Sequence, residues 1–139
     1  MSYHGQYKID LGSHAEDEAC RFLKSNGFKI IERNYRTRFA EIDIIAIHEE
    51  TIVFVEVKAR TSSRYGSPRE AVGSGKQKKI IAGAMQYIRE NALDGKRVRF
   101  DVVTYLKSNS NYLKSNPKSS GAEPLHIELI SNAFDASIS

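Results

Sequence analysis

Apolar residues recur at helical spacing between residues 10 and 26. They would share one face of a helix, and they are Ala15, Ala19, Phe22 and Leu23. The pair Asn26-Gly27 follows, and glycine readily takes the left-handed conformation that ends a helix. The pattern predicts a first helix over 10–26 and a short strand over 28–34.

Two stretches rich in β-branched residues, 41–47 and 52–58, flank a polar tetrapeptide, His48-Glu49-Glu50-Thr51. This pattern predicts a β-hairpin. With the turn centred between Glu49 and Glu50, the numbers of paired residues sum to 99. Asp43 then faces Glu56, and Lys58 shares their side of the sheet because side chains alternate along a strand.

The same register assigns the other residues of the hairpin to the two sides of the sheet. Glu41 would join the acidic side, as a structural partner of Lys58 or Arg60 rather than as a ligand. The opposite side would be an apolar layer formed by Ile42, Ile44, Ala46, Val53, Val55 and Val57. A bulge would shift this register by one residue and reverse the assignment of faces.

Further elements follow the hairpin. Residues 62–68 read as a loop, and Ser74 with Gln77 has the spacing of a capping box, which predicts a second helix from Ser74 to about Asn91. Strands are predicted over 98–106 and 125–130, and the polar segment 107–124 is a flexible loop or insertion. The order αβββαβ with an extra edge strand is that of an α/β fold, and we expect one domain over 1–139.

Composition excludes several classes of protein. With 40% hydrophobic and 27% charged residues, the chain is typical of globular proteins, and no apolar run is long enough to cross a bilayer. The absence of a signal-type N-terminus and the single Cys20 predict a cytoplasmic protein without disulfides or membrane association. No glycine-rich phosphate loop supports ATP use. The net charge of +4 is compatible with nucleic-acid binding without demonstrating it.

The facing acids Asp43 and Glu56 require an explanation. Carboxylates opposite each other on paired strands lie about 5 Å apart and repel. A divalent cation would remove the repulsion, since Mg²⁺ prefers carboxylate and water oxygens. Lys58 would then lie beside the metal, where its charge can hold a water or a phosphate. A salt-bridged patch at the end of the sheet explains the same residues equally well.

The hairpin resembles a known nuclease core. The segments Glu41-Ile-Asp43-Ile-Ile-Ala and Ile52-Val-Phe-Val-Glu56-Val-Lys58-Ala-Arg60 are similar to the PD-(D/E)xK superfamily, which includes archaeal Holliday-junction resolvases. More closely, the chain resembles the YraN-like family of small bacterial proteins. That resemblance begins at Leu11-Gly12, passes through Glu32-Arg-Asn34, Lys76-Gln-Lys-Lys and Arg99-Phe-Asp101, and ends at Asn132-Ala-Phe134.

The resemblance implies a restriction-endonuclease-like fold, a mixed sheet flanked by helices, and a metal-dependent endonuclease. Asp43 and Glu56 would ligate Mg²⁺, with Mn²⁺ as a substitute, and Glu16 would be an additional acid that reaches the metal directly or through water. Lys58 would be the catalytic lysine. Two departures, Ala15 and Ala40 where the family usually has glycine, concern the backbone rather than the ligands.

Basic residues provide candidate contacts to nucleic acid. Lys76, Lys78 and Lys79 open the second helix, where the helix dipole disfavours cations and a bound phosphate would offset that cost. Arginines lie in the segments next to the acidic strands, at Arg36, Arg38, Arg60, Arg64 and Arg69. They would bind backbone phosphates without sequence specificity. Ordinary solvated surface is the alternative for every one of these residues.

Three functions therefore remain open. The first is hydrolysis of phosphodiester bonds in DNA. Cleavage would be structure-specific or non-specific, since the chain has no room for a target-recognition domain. A separate protein could target it. Related resolvases are dimers, which suggests a homodimer by analogy. The second is a non-cleaving nucleic-acid-binding protein with the same fold. The third is an assembly protein whose acidic cluster is structural.

Overall fold

The computed structural model describes residues 3–60, 72–106 and 126–136. Its elements are α1 (Tyr3–Ser25), β1 (Lys29–Arg36), β2 (Glu41–His48), β3 (Thr51–Arg60), α2 (Ser74–Glu90), β4 (Val98–Leu106) and β5 (His126–Phe134). The predicted order of helices and strands is confirmed, including the extra edge strand. The predicted loop 62–68, the segment 107–124, Arg64 and Arg69 lie outside the described residues. Neither helix has an apolar stretch that could span a membrane.

The five strands form one mixed sheet in the order β1-β2-β3-β4-β5. Strands β3 and β4 are parallel, and the other neighbours are antiparallel. A parallel pair needs a crossover connection, and α2 lies in the segment that joins β3 to β4. The architecture is of the α/β class and is consistent with a restriction-endonuclease-like core.

Each face of the sheet is covered by one helix. Under α1 lies an apolar layer of Ala19, Cys20, Leu23, Phe28, Ile44, Ala46, Val53, Val55 and Val103. The layer under α2 contains Ile42, Ile45, Ile52, Phe54, Val72, Ile80, Ala84, Tyr87, Ile88, Phe100, Val102 and Phe134. Because both faces are buried, the central strands β2 and β3 are apolar on both sides. A charged residue within these strands therefore lies next to the core.

The β2–β3 hairpin has the predicted register. The pairs run from His48↔Thr51 to Ile44↔Val55, and each pair sums to 99. Glu49 and Glu50 form the turn with φ values of 48° and 68°. Positive φ at both central residues is the geometry of a two-residue type I′ turn, which matches the twist of the flanking strands.

One predicted face assignment is wrong. Ile42 lies in the α2 layer with Ile45, rather than in the α1 layer with Ile44. The alternation of side chains is interrupted at Asp43 and at Asn34, which lies opposite Asp43 on β1 and has a φ of 55°. The strand pair is therefore irregular at the position of the candidate metal ligand.

The capping box predicted for the second helix is also wrong. Helix α2 begins as predicted at Ser74, but its N-cap is Gly73 and no side chain caps it. The Gln77 side chain instead donates to the carbonyl of Val72 at 2.8 Å. The amide groups of this helix start are thus not occupied by a serine hydroxyl.

A buried carboxylate on β4 links this strand to the edge strand β5. Asp101 is fully buried and accepts two bonds of 2.9 Å from the Arg99 guanidinium. Its Oδ1 also accepts the backbone N–H of Asn132 at 2.9 Å, where the β4–β5 pairing shifts register. Asp101 is therefore a structural residue that fixes β5 to the sheet.

Candidate metal and nucleic-acid site

The site lies where β2 and β3 separate. Their paired positions end at Ile44↔Val55, one residue before the predicted pair of Asp43 and Glu56. The Asp43 carboxylate instead accepts the backbone N–H of Val57 at 2.8 Å. A side chain thus takes the place of a backbone carbonyl in bridging the two strands. The prediction that the two acids face each other within a regular ladder is corrected accordingly.

The environment of Asp43 disfavours its charged form. Burial and, next, repulsion from Glu56 raise the pKa of Asp43 to about 7, with a further contribution from Glu16. The hydrogen bond from Val57 and the charge of Lys76 act in the opposite direction. Near neutral pH this carboxyl is therefore poised between holding a proton and binding a cation.

Glu56 is buried in β3 and lies between two ammonium groups. Its side chain is 6% exposed, and its Oε1 lies 2.5 Å from Nζ of Lys76 and 3.9 Å from Nζ of Lys58. Lys76, the predicted phosphate contact at the start of α2, thus pairs with the candidate metal ligand in this structure. Partial burial works against the charge of Lys76, but its bond to Glu56 outweighs this effect and raises the pKa of Lys76.

Lys58 has the opposite electrostatic balance. Partial burial and the nearby charge of Lys76 lower the pKa of Lys58, and the attraction of Glu56 and Asp43 does not restore it. Its side chain is 31% exposed and can reach solvent. A lysine with this lowered pKa releases its proton more readily than a surface lysine does.

Glu16 approaches the site from α1. Its charge acts on Asp43, but Oε2 of Glu16 lies 3.5 Å from Arg33 on β1, whose guanidinium also binds Asp17 at 2.8 Å. Among the described residues, no group of three or more His, Cys, Asp or Glu side chains is arranged to hold a metal ion. The structure therefore brings Asp43, Glu56 and Lys58 to one place, with Glu16 held nearby by an arginine.

The candidate nucleic-acid contacts border this site. Arg36 is 79% exposed on its side chain and pairs at 3.5 Å with Glu41, which was expected to pair with Lys58 or Arg60. The Arg38 guanidinium lies 4.8 Å from the centre of the Phe39 ring. Lys78 and Lys79 are exposed, and the side chain of Arg60 is outside the described part.

Sequence reasoning missed two residues of this region, Arg33 and the exposed Phe39, and it missed the contact between Lys76 and Glu56. A cation in the first turn of a helix is unfavourable, which itself signals a nearby acid. Phe39 follows Arg36-Thr37-Arg38, and an aromatic residue next to arginines is a weak signal of a nucleic-acid contact. Nothing in the sequence indicated Arg33 as the partner of Glu16.

Comparison with known proteins identifies the family. Residues 15–105 match Uncharacterised protein family UPF0102. A UPF0102 protein of Desulforapulum autotrophicum is 52% identical over 91% of this chain and 94% of its own length. Similar proteins of Persephonella marina and Rhodococcus opacus are 42% and 45% identical, over 75% and 72% of this chain and 90% and 85% of their own lengths. The chain belongs to the UPF0102 family, the YraN-like family that its sequence resembles.

Proposed function

We propose that this protein is a divalent-cation-dependent hydrolase of phosphodiester bonds in nucleic acid, with DNA as the expected substrate. One observation carries the proposal. The Asp43 carboxylate is held in the gap between two separating strands, and it is repelled there by the buried Glu56 while Lys58 follows on the same strand. A fold that keeps two acids in this arrangement gains most when a cation joins them.

The donor chemistry fits Mg²⁺. This ion is usually held by one or two carboxylates and completes its octahedral shell with waters and substrate phosphate oxygens. Asp43 and Glu56 are thus sufficient ligands, and Glu16 would act through a water, which agrees with the absence of a three-carboxylate cluster among the described residues. When bound, the cation would stabilise negative charge on the phosphate during hydrolysis.

The remaining side chains have distinct roles in the proposal. Lys58 would position the attacking water, and its lowered pKa favours the neutral amine, the form that could accept a proton from that water. Lys76 would have to leave Glu56 for a cation to bind there, and it would then be available to the phosphate at the start of α2. Basic residues outside the acidic cluster, namely Arg36, Arg38, Arg60, Lys78 and Lys79, contact phosphates elsewhere and confer affinity rather than sequence specificity.

One observation favours a second candidate function. Glu56 is already neutralised by Lys76 and Lys58, as expected for a structural ion-pair cluster in a non-cleaving nucleic-acid-binding protein or an assembly protein. Metal titration separates these functions. A hydrolase binds Mn²⁺ in calorimetry and loses that binding with Asp43→Asn, whereas a structural cluster binds none.

A cleavage screen tests the proposal directly. Branched, flapped, duplex and single-stranded DNA are incubated with Mg²⁺ or Mn²⁺ and wild type, Asp43→Asn or Glu56→Gln. Asp94→Asn, which changes an exposed acid in the turn after α2, is the matched control. We expect cleavage by wild type and Asp94→Asn alone. Equal cleavage by Asp43→Asn, or no cleavage of any substrate by wild type, overturns the proposal.

A further inference from the structure

The turn between β1 and β2 presents an aromatic side chain to solvent. Among the described residues, only Ile31 and Phe39 are large apolar side chains with substantial exposure, 42% and 37% respectively. Phe39 lies at the tip of the turn, and Arg38 is placed over its ring at 4.8 Å. The ring and the guanidinium together are therefore available at the surface for a stacking contact.

The turn is built to hold this side chain in place. The Thr37 hydroxyl accepts the backbone N–H groups of Phe39 at 3.0 Å and Ala40 at 3.1 Å, and Thr37 N–H donates to the Ala40 carbonyl at 2.9 Å. Helix α2 supports the turn from below, where a Cβ on Gly83 would lie 3.3 Å from the Thr37 hydroxyl. The close approach and the hydrogen bonds fix the backbone that carries Phe39.

The tip and the candidate site lie at the same end of the sheet. The turn precedes Glu41 at the start of β2, and Asp43 is only four residues from Phe39. Four residues of extended chain span roughly 13 Å. That distance corresponds to about four nucleotides of stacked strand. A base stacked on Phe39 would therefore lie a few nucleotides from the phosphate at Asp43.

We propose that Phe39 and Arg38 form a stacking platform for an unpaired nucleobase, so that the ligand is nucleic acid with a single-stranded segment. The inference rests on the proposed function for the kind of ligand. Aromatic rings and guanidinium planes bind bases by stacking, which tolerates any sequence. Bases within a duplex have both faces covered by their neighbours, so only an unpaired base can bind in this way. Arg36, exposed beside the turn, complements the phosphate charge.

Binding without metal tests the platform independently of cleavage. Wild type, Phe39→Ala and Phe39→Tyr are titrated in EDTA with fluorescent oligo-dT and with a fully paired two-strand duplex, and anisotropy is recorded. Ile31→Ala is the matched control, since it removes the other exposed apolar side chain from β1. We expect Phe39→Ala to weaken oligo-dT binding by about 5- to 100-fold, with Phe39→Tyr and Ile31→Ala close to wild type and duplex affinity unchanged.

A fluorescent variant gives a second measurement. The chain has no tryptophan, so emission from Phe39→Trp reports on this position alone and should be quenched by oligo-dT but not by the duplex. Loss of affinity shared by Ile31→Ala, equal loss for duplex and oligo-dT, or unquenched emission overturns the stacking platform. If oligo-dT quenches emission but wild type cleaves nothing, the platform stands and the hydrolase proposal fails.

Discussion

The ammonium of Lys76 lies 2.5 Å from Oε1 of Glu56, closer than Lys58, whose Nζ is 3.9 Å from the same oxygen. Lys58, the lysine of the nuclease-like motif, is thus not the main cationic partner of Glu56. Lys76, at the start of α2, is the cation in direct contact with the buried Glu56 carboxylate. A metal ion that binds Glu56 must displace it.

Lys76→Met should therefore strengthen metal binding. An ion pair with one exposed partner is worth up to about 1 kcal/mol, so we expect Mn²⁺ affinity in calorimetry to rise about two- to fivefold. Lys79→Met, which removes an exposed charge from the same helix, should change the affinity little. Unchanged affinity for Lys76→Met would show that the two cations do not compete for Glu56.

Lys58 should separate metal binding from chemistry. Lys58→Met keeps the length of the side chain but removes the amine, and loss of a group that holds and deprotonates water lowers the rate by about 100-fold or more. Mn²⁺ affinity should stay within about twofold, because Lys58 is not a ligand in the proposal. Lys58→Arg should not restore cleavage, since arginine stays protonated. An active Lys58→Met would remove this residue from the mechanism.

The raised pKa of Asp43 predicts how stability depends on pH. Its pKa is about 7 in the folded protein, against an ordinary value of 3.8, so the folded state binds this proton more tightly than the unfolded state does. The free energy of unfolding of the metal-free protein should therefore fall as pH rises from about 4 to about 7, by on the order of a few kcal/mol. Urea unfolding at a series of pH values measures this slope.

Two variants control for other titrating groups. Asp43→Asn should flatten that part of the pH profile, because the amide still accepts the Val57 N–H and does not titrate. Asp94→Asn should leave the profile unchanged, since Asp94 is exposed. Saturating Mg²⁺ should reduce the slope in wild type, because the metal competes with the proton. Identical slopes for wild type and Asp43→Asn would contradict the assignment.

Asp101 should affect stability without affecting the site. Asp101→Ala leaves the Arg99 guanidinium and the Asn132 N–H without their buried acceptor, and breaking such a pair typically costs 3–5 kcal/mol in unfolding free energy. Glu128→Gln, on the exposed side of β5, should change stability by less than about 0.5 kcal/mol. If Asp101→Ala proves insoluble, the double variant Arg99→Leu and Asp101→Leu, which removes both charges, should recover part of the loss.

The sequence predicted the elements well because their signals are local. Two β-branched runs around Glu49-Glu50 determine the hairpin and its register, and the strand 98–106 was placed without error. Two bounds differ: α1 begins at Tyr3 rather than at residue 10, and β5 ends at Phe134 rather than at residue 130. Two further errors occur where the local backbone departs from the regular pattern. Ile42 changes face next to the irregular position of Asn34 and Asp43, and Gly73 is the N-cap in place of Ser74. Neither event follows from the identity of the residue itself.

The site was predicted only in part. The motif identified Asp43, Glu56 and Lys58, and the structure brings them together. Partners that come from other elements depend on the three-dimensional packing of helices on the sheet. The position of Lys76 could therefore signal an anionic partner without identifying Glu56, and nothing in the sequence indicated the contact of Arg33 with Glu16. The exposure of Phe39 likewise depends on the turn that carries it.

The hydrogen bond from Val57 to Asp43 means that this acid is also part of the seam between two strands. Asp43→Ala would remove both this hydrogen bond between β2 and β3 and the candidate metal ligand. Loss of activity in that variant would therefore not distinguish a damaged sheet from a lost ligand. Evolution faces the same coupling. A change at position 43 that spared the sheet would need a side chain of equal length that still accepts this N–H, which leaves asparagine as the one plain substitute.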